Sequence, residues 1–175
     1  MKALKQYEIP VSGLKIGVHE MSYIVDWRFF DDFEESLVKQ GHFEVQVLLD
    51  KQHDHWMVTF DIEGHVDTEC DRCLAPISLP VGCVNTIIIK YDEDGNTILE
   101  NEDILYVSRG IQTWNIAELI YEFILLCVPI KRVYDCENEQ VRPCDMQMLK
   151  RLTGEVATSG EDPNWNALKQ IDLNK

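Results

Sequence analysis

Two cysteines three positions apart, in Glu69-Cys70-Asp71-Arg72-Cys73-Leu74-Ala75-Pro76, are the residues of this chain whose type and spacing could do chemistry. A thiolate pair at this spacing supplies half of a tetrahedral zinc site, which closes with two further soft ligands. Cys136 and Cys144 are the candidates for that second half, although seven residues separate them where two to four are usual. The same CxxC pair could instead exchange disulfides. A thioredoxin-type pair, however, draws its reactivity from a helix N-terminus within a βαβ unit, and no helical pattern follows Cys73. The third reading is of inert buried thiols, which behave as small hydrophobes. Zinc, redox work and core packing therefore stand as alternatives for Cys70, Cys73, Cys136 and Cys144.

The elements that must position the pair are strands. From residue 55 to 69 apolar residues alternate with polar ones: Trp56, Val58, Phe60, Ile62 and Val66 on one face, Asp61, Glu63, His65, Asp67 and Glu69 on the other. That is the period of a half-buried strand. Alternation resumes after Pro76 through Ile77, Leu79, Val81, Cys83, Ile87, Ile89 and Tyr91, so the thiols cap a long hairpin. Strand parity places Cys70 on the Phe60 face and Cys73 in the connection, and it makes Cys83 a small core residue. Val45, Val47 and Leu49 mark a preceding strand, joined by the polar turn Asp50 to Asp54, which the solvated His53 and His55 flank. Tyr23-Ile24-Val25 ends an earlier strand and Ile104-Leu105-Tyr106-Val107 forms a later one.

Helices should cover this meander. Asp26 is placed to cap a helix running to Lys39, with Phe29, Phe30, Phe33 and Leu37 on its inner face and Gly41 as a left-handed terminator. A second helix should run from Asn115, with Glu118 completing a capping box, to Cys127. Its stripe of Ile116, Leu119, Ile120, Phe123 and Ile124 demands burial, and Pro129 ends it. A short helical run follows from Asp145 to Leu152. The acidic stretch Asp92 to Asp103 lacks the regular oxygen series of a calcium loop and reads as solvated. The expectation is an α+β fold: an antiparallel β-meander with a long central hairpin, packed by a buried helix from the C-terminal half and by an N-terminal helix. Residues 1–152 form one domain, 153–164 a flexible linker, and 165–175 a short helical tail carrying Trp165.

Composition narrows the function. The 175 residues carry 16 basic and 31 acidic side chains, a formal net charge of −15. A nucleic-acid binder neutralises phosphates with Lys and Arg, so direct RNA binding is disfavoured and a basic protein partner is favoured. No apolar run approaches the ~20 residues of a membrane helix and no secretory signal opens the chain, which sets the cytoplasm as the expected compartment. In that reducing setting six cysteines are expected as thiols, metal ligands or redox groups rather than as disulfides. No hydrolase elbow, phosphate-cradling glycine loop or metalloprotease helix is present, so a binding or assembly protein is expected, not an enzyme.

Three features in order, Cys70-Asp71-Arg72-Cys73-Leu74, then Ala117-Glu118-Leu119-Ile120-Tyr121-Glu122-Phe123-Ile124-Leu125-Leu126-Cys127-Val128-Pro129-Ile130, then Cys144, resemble the YceD-like family of large ribosomal RNA subunit accumulation proteins. The Phe29-Phe30 helix, Ile62-Glu63-Gly64 and Asp162-Pro163-Asn164-Trp165 look like relatives of the Bacteroides type. The resemblance implies a non-enzymatic role in processing or accumulation of large-subunit ribosomal RNA, through a basic ribosomal protein or a pre-ribosomal particle. Many relatives carry a histidine where this chain has Tyr134, which leaves Cys136 as the substitute ligand. The expected binding surface is the Cys70 to Pro76 turn, with Arg72, Leu74 and Pro76, together with Lys131, Arg132 and Arg142. A cytoplasmic zinc or thiol-redox protein using the CxxC pair is the alternative.

Overall fold

The computed structural model describes residues 3–34, 36–92, 104–136 and 143–154. Alternation in the sequence becomes a five-stranded sheet of β2 (Gly17–Val25), β3 (Gln40–Lys51), β4 (His55–Glu69), β5 (Pro76–Asp92) and β6 (Ile104–Ser108), in that spatial order. β2 to β5 form the antiparallel meander the pattern requires. Pairing sets Val45 against Ile62, Val47 against Phe60, and Val58 against Ile87. Each of these pairs faces inward, so apolar side chains stack in rows across the strands. β6 departs from the meander by running parallel to β5, with Ile89 opposite Leu105.

One face of the sheet is covered by α2 (Ala117–Cys127). The Asn115 side chain accepts a hydrogen bond from the Ala117 N–H at 2.9 Å, satisfying an orphan donor of the first turn. Ile116, Ile120 and Ile124 are fully buried, and Phe123 meets Phe60 edge-on with ring centroids 5.1 Å apart. Tyr121 stacks on Phe33 at 4.0 Å. A small two-stranded sheet, β1 (Glu8–Ile9) with β7 (Trp114–Asn115), and the buried ring of Tyr7 close the far end of this core. Lys51 reaches that end as well, donating to the carbonyls of Val11 and Leu14 at 2.7 and 2.9 Å. The last described element, α3 (Met146–Leu152), is capped by Asp145, whose carboxylate accepts from the N–H groups of Gln147 and Met148.

Several expectations need correction. The N-terminal helix is one turn, α1 (Trp27–Phe30), rather than a helix to Lys39. Asp26 caps it as expected, accepting from the Arg28 N–H, but Asp31, Asp32 and Glu34 put negative charge at the C-terminal end, where the helix dipole disfavours it. Leu37 is consequently not on a buried helical face and is 84% exposed. Gly41 terminates no helix; it lies in β3, where an added Cβ would stand 2.6 Å from the His65 carbonyl oxygen. Cys83 is bonded to Cys127, tying β5 to the end of α2, and Cys136 is bonded to Cys144, so the expectation of six unpaired thiols does not hold. Most of the acidic stretch after Asp92, the linker from residue 155 onward, the Trp165 segment and Arg142 lie outside the described residues.

Candidate functional site

The hairpin of β4 and β5 is closed by a compact knuckle. The Cys70 N–H donates to the Ala75 carbonyl at 2.9 Å and the Leu74 N–H to the Cys70 carbonyl at 2.8 Å. Closing so tight a turn puts Leu74 in the left-handed region at φ 60°, the one non-glycine residue with positive φ among those described. Such a conformation costs on the order of 1–3 kcal/mol and persists only where the surroundings impose it. Both thiols are buried, in a satellite cluster with Ala75 and Ile77 that is separate from the main core. Burial pushes the Cys70 thiol up, but hydrogen bonds from the backbone of Tyr134, Arg72 and Cys73 outweigh it, and the net direction is down.

A second strand of chain is latched onto this knuckle. The Asp71 N–H donates to the Arg132 carbonyl at 2.8 Å, and the Arg132 N–H donates to the Asp71 carboxylate at 2.7 Å. The Arg132 guanidinium donates to the other Asp71 carboxylate oxygen and to the Thr68 hydroxyl, each at 3.1 Å. The Arg132 backbone bond, with the guanidinium adding to it, holds the Asp71 carboxyl below the ordinary carboxylate range. Of the expected binding residues, Arg132 is thus engaged within the chain. Arg72, Leu74, Pro76 and Lys131 are exposed around the knuckle, Leu74 at 59%.

The second cysteine pair is brought to the same place. Cys144 packs against the satellite cluster with Val133, Tyr134, Met148 and Leu149, and its bonded partner Cys136 is buried. Among the described residues, no group of three or more His, Cys, Asp or Glu side chains is already drawn together for a metal.

The outward face of the sheet holds residues that the sequence reading left as a solvated polar side. Register places Glu44 of β3 directly opposite Glu63 of β4, and Gln46 opposite Asp61. Across the outward positions of β2, β3 and β4 there are Glu20, Glu44, Asp50, Asp61, Glu63, Asp67 and Glu69, with His42, His55 and His65 and no Lys or Arg. Interleaved with these acids are exposed Val18, Ile24, Leu48, Met57 and, from β5, Val84. A groove of about 510 Å³ runs over this face, lined in part by Glu20, Gln46, Leu48, Asp61 and Val84. Alternation marks Asp61, Glu63 and Asp67 as one face of β4, but only pairing register sets them beside Glu20 and Glu44.

A family model described as Large ribosomal RNA subunit accumulation protein YceD matches residues 58–172, which takes in the knuckle, the latch and α2. No curated protein and no solved structure matches the chain.

Proposed function

This chain belongs to the YceD family of large ribosomal RNA subunit accumulation proteins, and from that premise we propose that it promotes accumulation of large-subunit ribosomal RNA by binding a basic ribosomal protein, or a pre-ribosomal particle that presents one, and catalyses no reaction itself. The observation that carries the protein-partner reading is the outward sheet face, where Glu44 and Glu63 are directly opposed and further acids alternate with exposed aliphatic side chains. Such a surface repels phosphate. It suits a cationic protein segment, whose Lys and Arg relieve the repulsion while its apolar groups cover Ile24, Leu48 and Val84. Arg72, Leu74, Pro76 and Lys131 on the knuckle form a second, smaller contact with the particle. No helix among the described residues is long and apolar enough to cross a membrane.

The test is the ratio of large- to small-subunit ribosomal RNA in cells lacking the chain, alongside binding of naked ribosomal RNA by the purified protein. The reading expects a lowered ratio and weak RNA binding. An unchanged ratio contradicts the role, and tight, salt-sensitive binding of naked RNA contradicts the protein-partner route.

A further inference from the structure

Sheets protect their edges with very short strands, with Lys or Pro on the edge, with bulges, or with a covering segment. β6 conforms, being five residues long. β2 does not. It is an outer strand of nine residues with no Pro, Lys or Arg, and it pairs one-to-one with β3 from Gly17 against Lys51 to Val25 against Phe43, which leaves no bulge. Near its ends the Tyr7 hydroxyl donates to the Ile24 carbonyl at 3.3 Å and the His19 ring donates to the Lys15 carbonyl at 2.8 Å. Among the described residues no strand pairs with the free side of β2, so the backbone N–H and C=O groups of alternate residues point away from β3 with no ladder to join.

Both rows of side chains on β2 lack a neighbour on that side. In the inward row Met21 and Tyr23 are half-buried, whereas Val47 and Val45, opposite them in β3, are 1 and 0% exposed. The outward row presents Val18, Glu20, Ser22 and Ile24, all exposed. Beyond it the acidic face begins: the groove lined by Glu20 runs on to Asp61, and Glu44 stands opposite Ile24. One further strand would cover Met21 and Tyr23 with its inward side chains and set its outward side chains beside Glu20 and these acids. A second copy of this chain suits the position poorly, because each copy carries a net charge of −15 and would bring its own Glu20 to the same edge. An extended cationic segment complements the charge and meets both rows.

We propose that β2 is the docking edge for an extended segment of the basic partner, which adds one more strand to the sheet with apolar side chains turned inward and Lys or Arg turned outward. Main-chain hydrogen bonds along the edge supply affinity, and the side-chain alternation supplies specificity. Resting on the basic-partner reading above, such an edge selects its partner by pattern as well as by charge: apolar and basic residues in alternation over the length of β2.

The experiment uses the full, unaltered chain and a synthetic peptide of about ten residues that alternates Val and Lys, a strand's length, with a Val–Glu peptide as control. Fluorescence anisotropy at low salt should show the Val–Lys peptide binding and the Val–Glu peptide at least about tenfold weaker. Two further peptides carry N-methyl groups on the Val amides alone or on the Lys amides alone. An added strand donates from one alternate set of its N–H groups, so one methylated peptide should lose at least about tenfold in affinity and the other should bind like its parent. In the complex, amide exchange at alternate residues from Val18 to Ile24 should slow by on the order of tenfold, with β4 unchanged. Equal effects of the two methylations, or no protection in β2, would overturn the edge in favour of a side-chain contact on the sheet face, and the basic-partner reading would stand. Absence of Val–Lys binding, equal binding of the Val–Glu peptide, or self-association through β2 seen by sedimentation without peptide would also overturn the proposal. The ribosomal role itself is decided separately, by the large- to small-subunit ratio in cells lacking the chain.

Discussion

Glu44 and Glu63 stand directly across the β3–β4 ladder from one another, two like charges on the outward face of a central strand pair. Directly opposed like charges destabilise a sheet, and the opposite-charge alternative would contribute about 0.2–1 kcal/mol. The fold has no use for this repulsion, whereas a surface that receives cations does.

Replacing Glu44 by Lys should therefore act with opposite signs on stability and on function. Urea unfolding is expected to give a gain of about 0.2–1 kcal/mol, and association with basic ribosomal proteins is expected to fall. A variant that loses both stability and association would tie Glu44 to the fold instead.

The latch should behave as one unit. Asp71→Ala and Arg132→Ala each remove the carboxylate–guanidinium contact at 3.1 Å, and the double variant should be little worse than either single one. Amide hydrogen exchange is expected to rise by on the order of tenfold at Asp71 and Arg132 and to stay unchanged in β3 and β4, because the satellite cluster opens separately from the main core. Uniform acceleration across the sheet would show that the two clusters unfold together.

In the main core, Phe60 is fully buried against Phe123 of α2. Phe60→Ala should cost about 3–5 kcal/mol, measured by denaturant unfolding, since the truncation leaves a cavity under the helix. A loss below about 1 kcal/mol would mean that α2 is not seated on β4 as described.

Two glycines separate close approach from mere permissiveness. At Gly64 an added Cβ would collide with the His42 carbonyl oxygen and lie 2.7 Å from the Phe43 Cα, backbone that cannot yield cheaply. At Gly82 the nearest atom is the Ile62 carbonyl oxygen at 3.4 Å. Gly64→Ala is expected to destabilise by about 1–3 kcal/mol and Gly82→Ala by less than about 0.5 kcal/mol, compared by thermal unfolding.

Local signals in this sequence were legible and non-local ones were not. Period-two alternation places β3, β4 and β5 within a few residues of their ends, and Asp26 caps its helix, whereas the N-cap of α2 is Ile116, with Asn115 reaching the Ala117 N–H from one position earlier. The helix expected to reach Lys39 ends after one turn: its aromatic spacing is real, but Asp31, Asp32 and Glu34, which would suit the early turns of a long helix, follow the C-terminus of a short one. Gly41 looked like a terminator because the close approach of β4 is invisible along the chain. Arg132 read as a free cation because its partner Asp71 lies 61 positions away. Likewise the Cys83–Cys127 bond spans 44 positions, and the facing of Glu44 by Glu63 depends on a register that the whole meander sets. The knuckle itself was recognised from spacing, but the N–H groups turned onto its sulfur are a property of the folded turn.

If ribosomal RNA accumulation passes, as proposed, through a basic protein partner docked on the acidic sheet face, reversing the charge of that face must lower it. The most direct test is the large- to small-subunit ribosomal RNA ratio in cells lacking the chain and supplied with one of three versions. These are the unaltered protein, a Glu44→Lys/Glu63→Lys variant shown by circular dichroism to be folded, and an Arg72→Ala/Lys131→Ala/Arg142→Ala variant. The unaltered protein is expected to restore the ratio, the charge-reversed sheet face to fail, and the variant lacking the three cations to restore most of it. Full restoration by the charge-reversed protein, with failure of the variant lacking the cations, would rule out docking on the sheet face and assign the function to direct phosphate contacts.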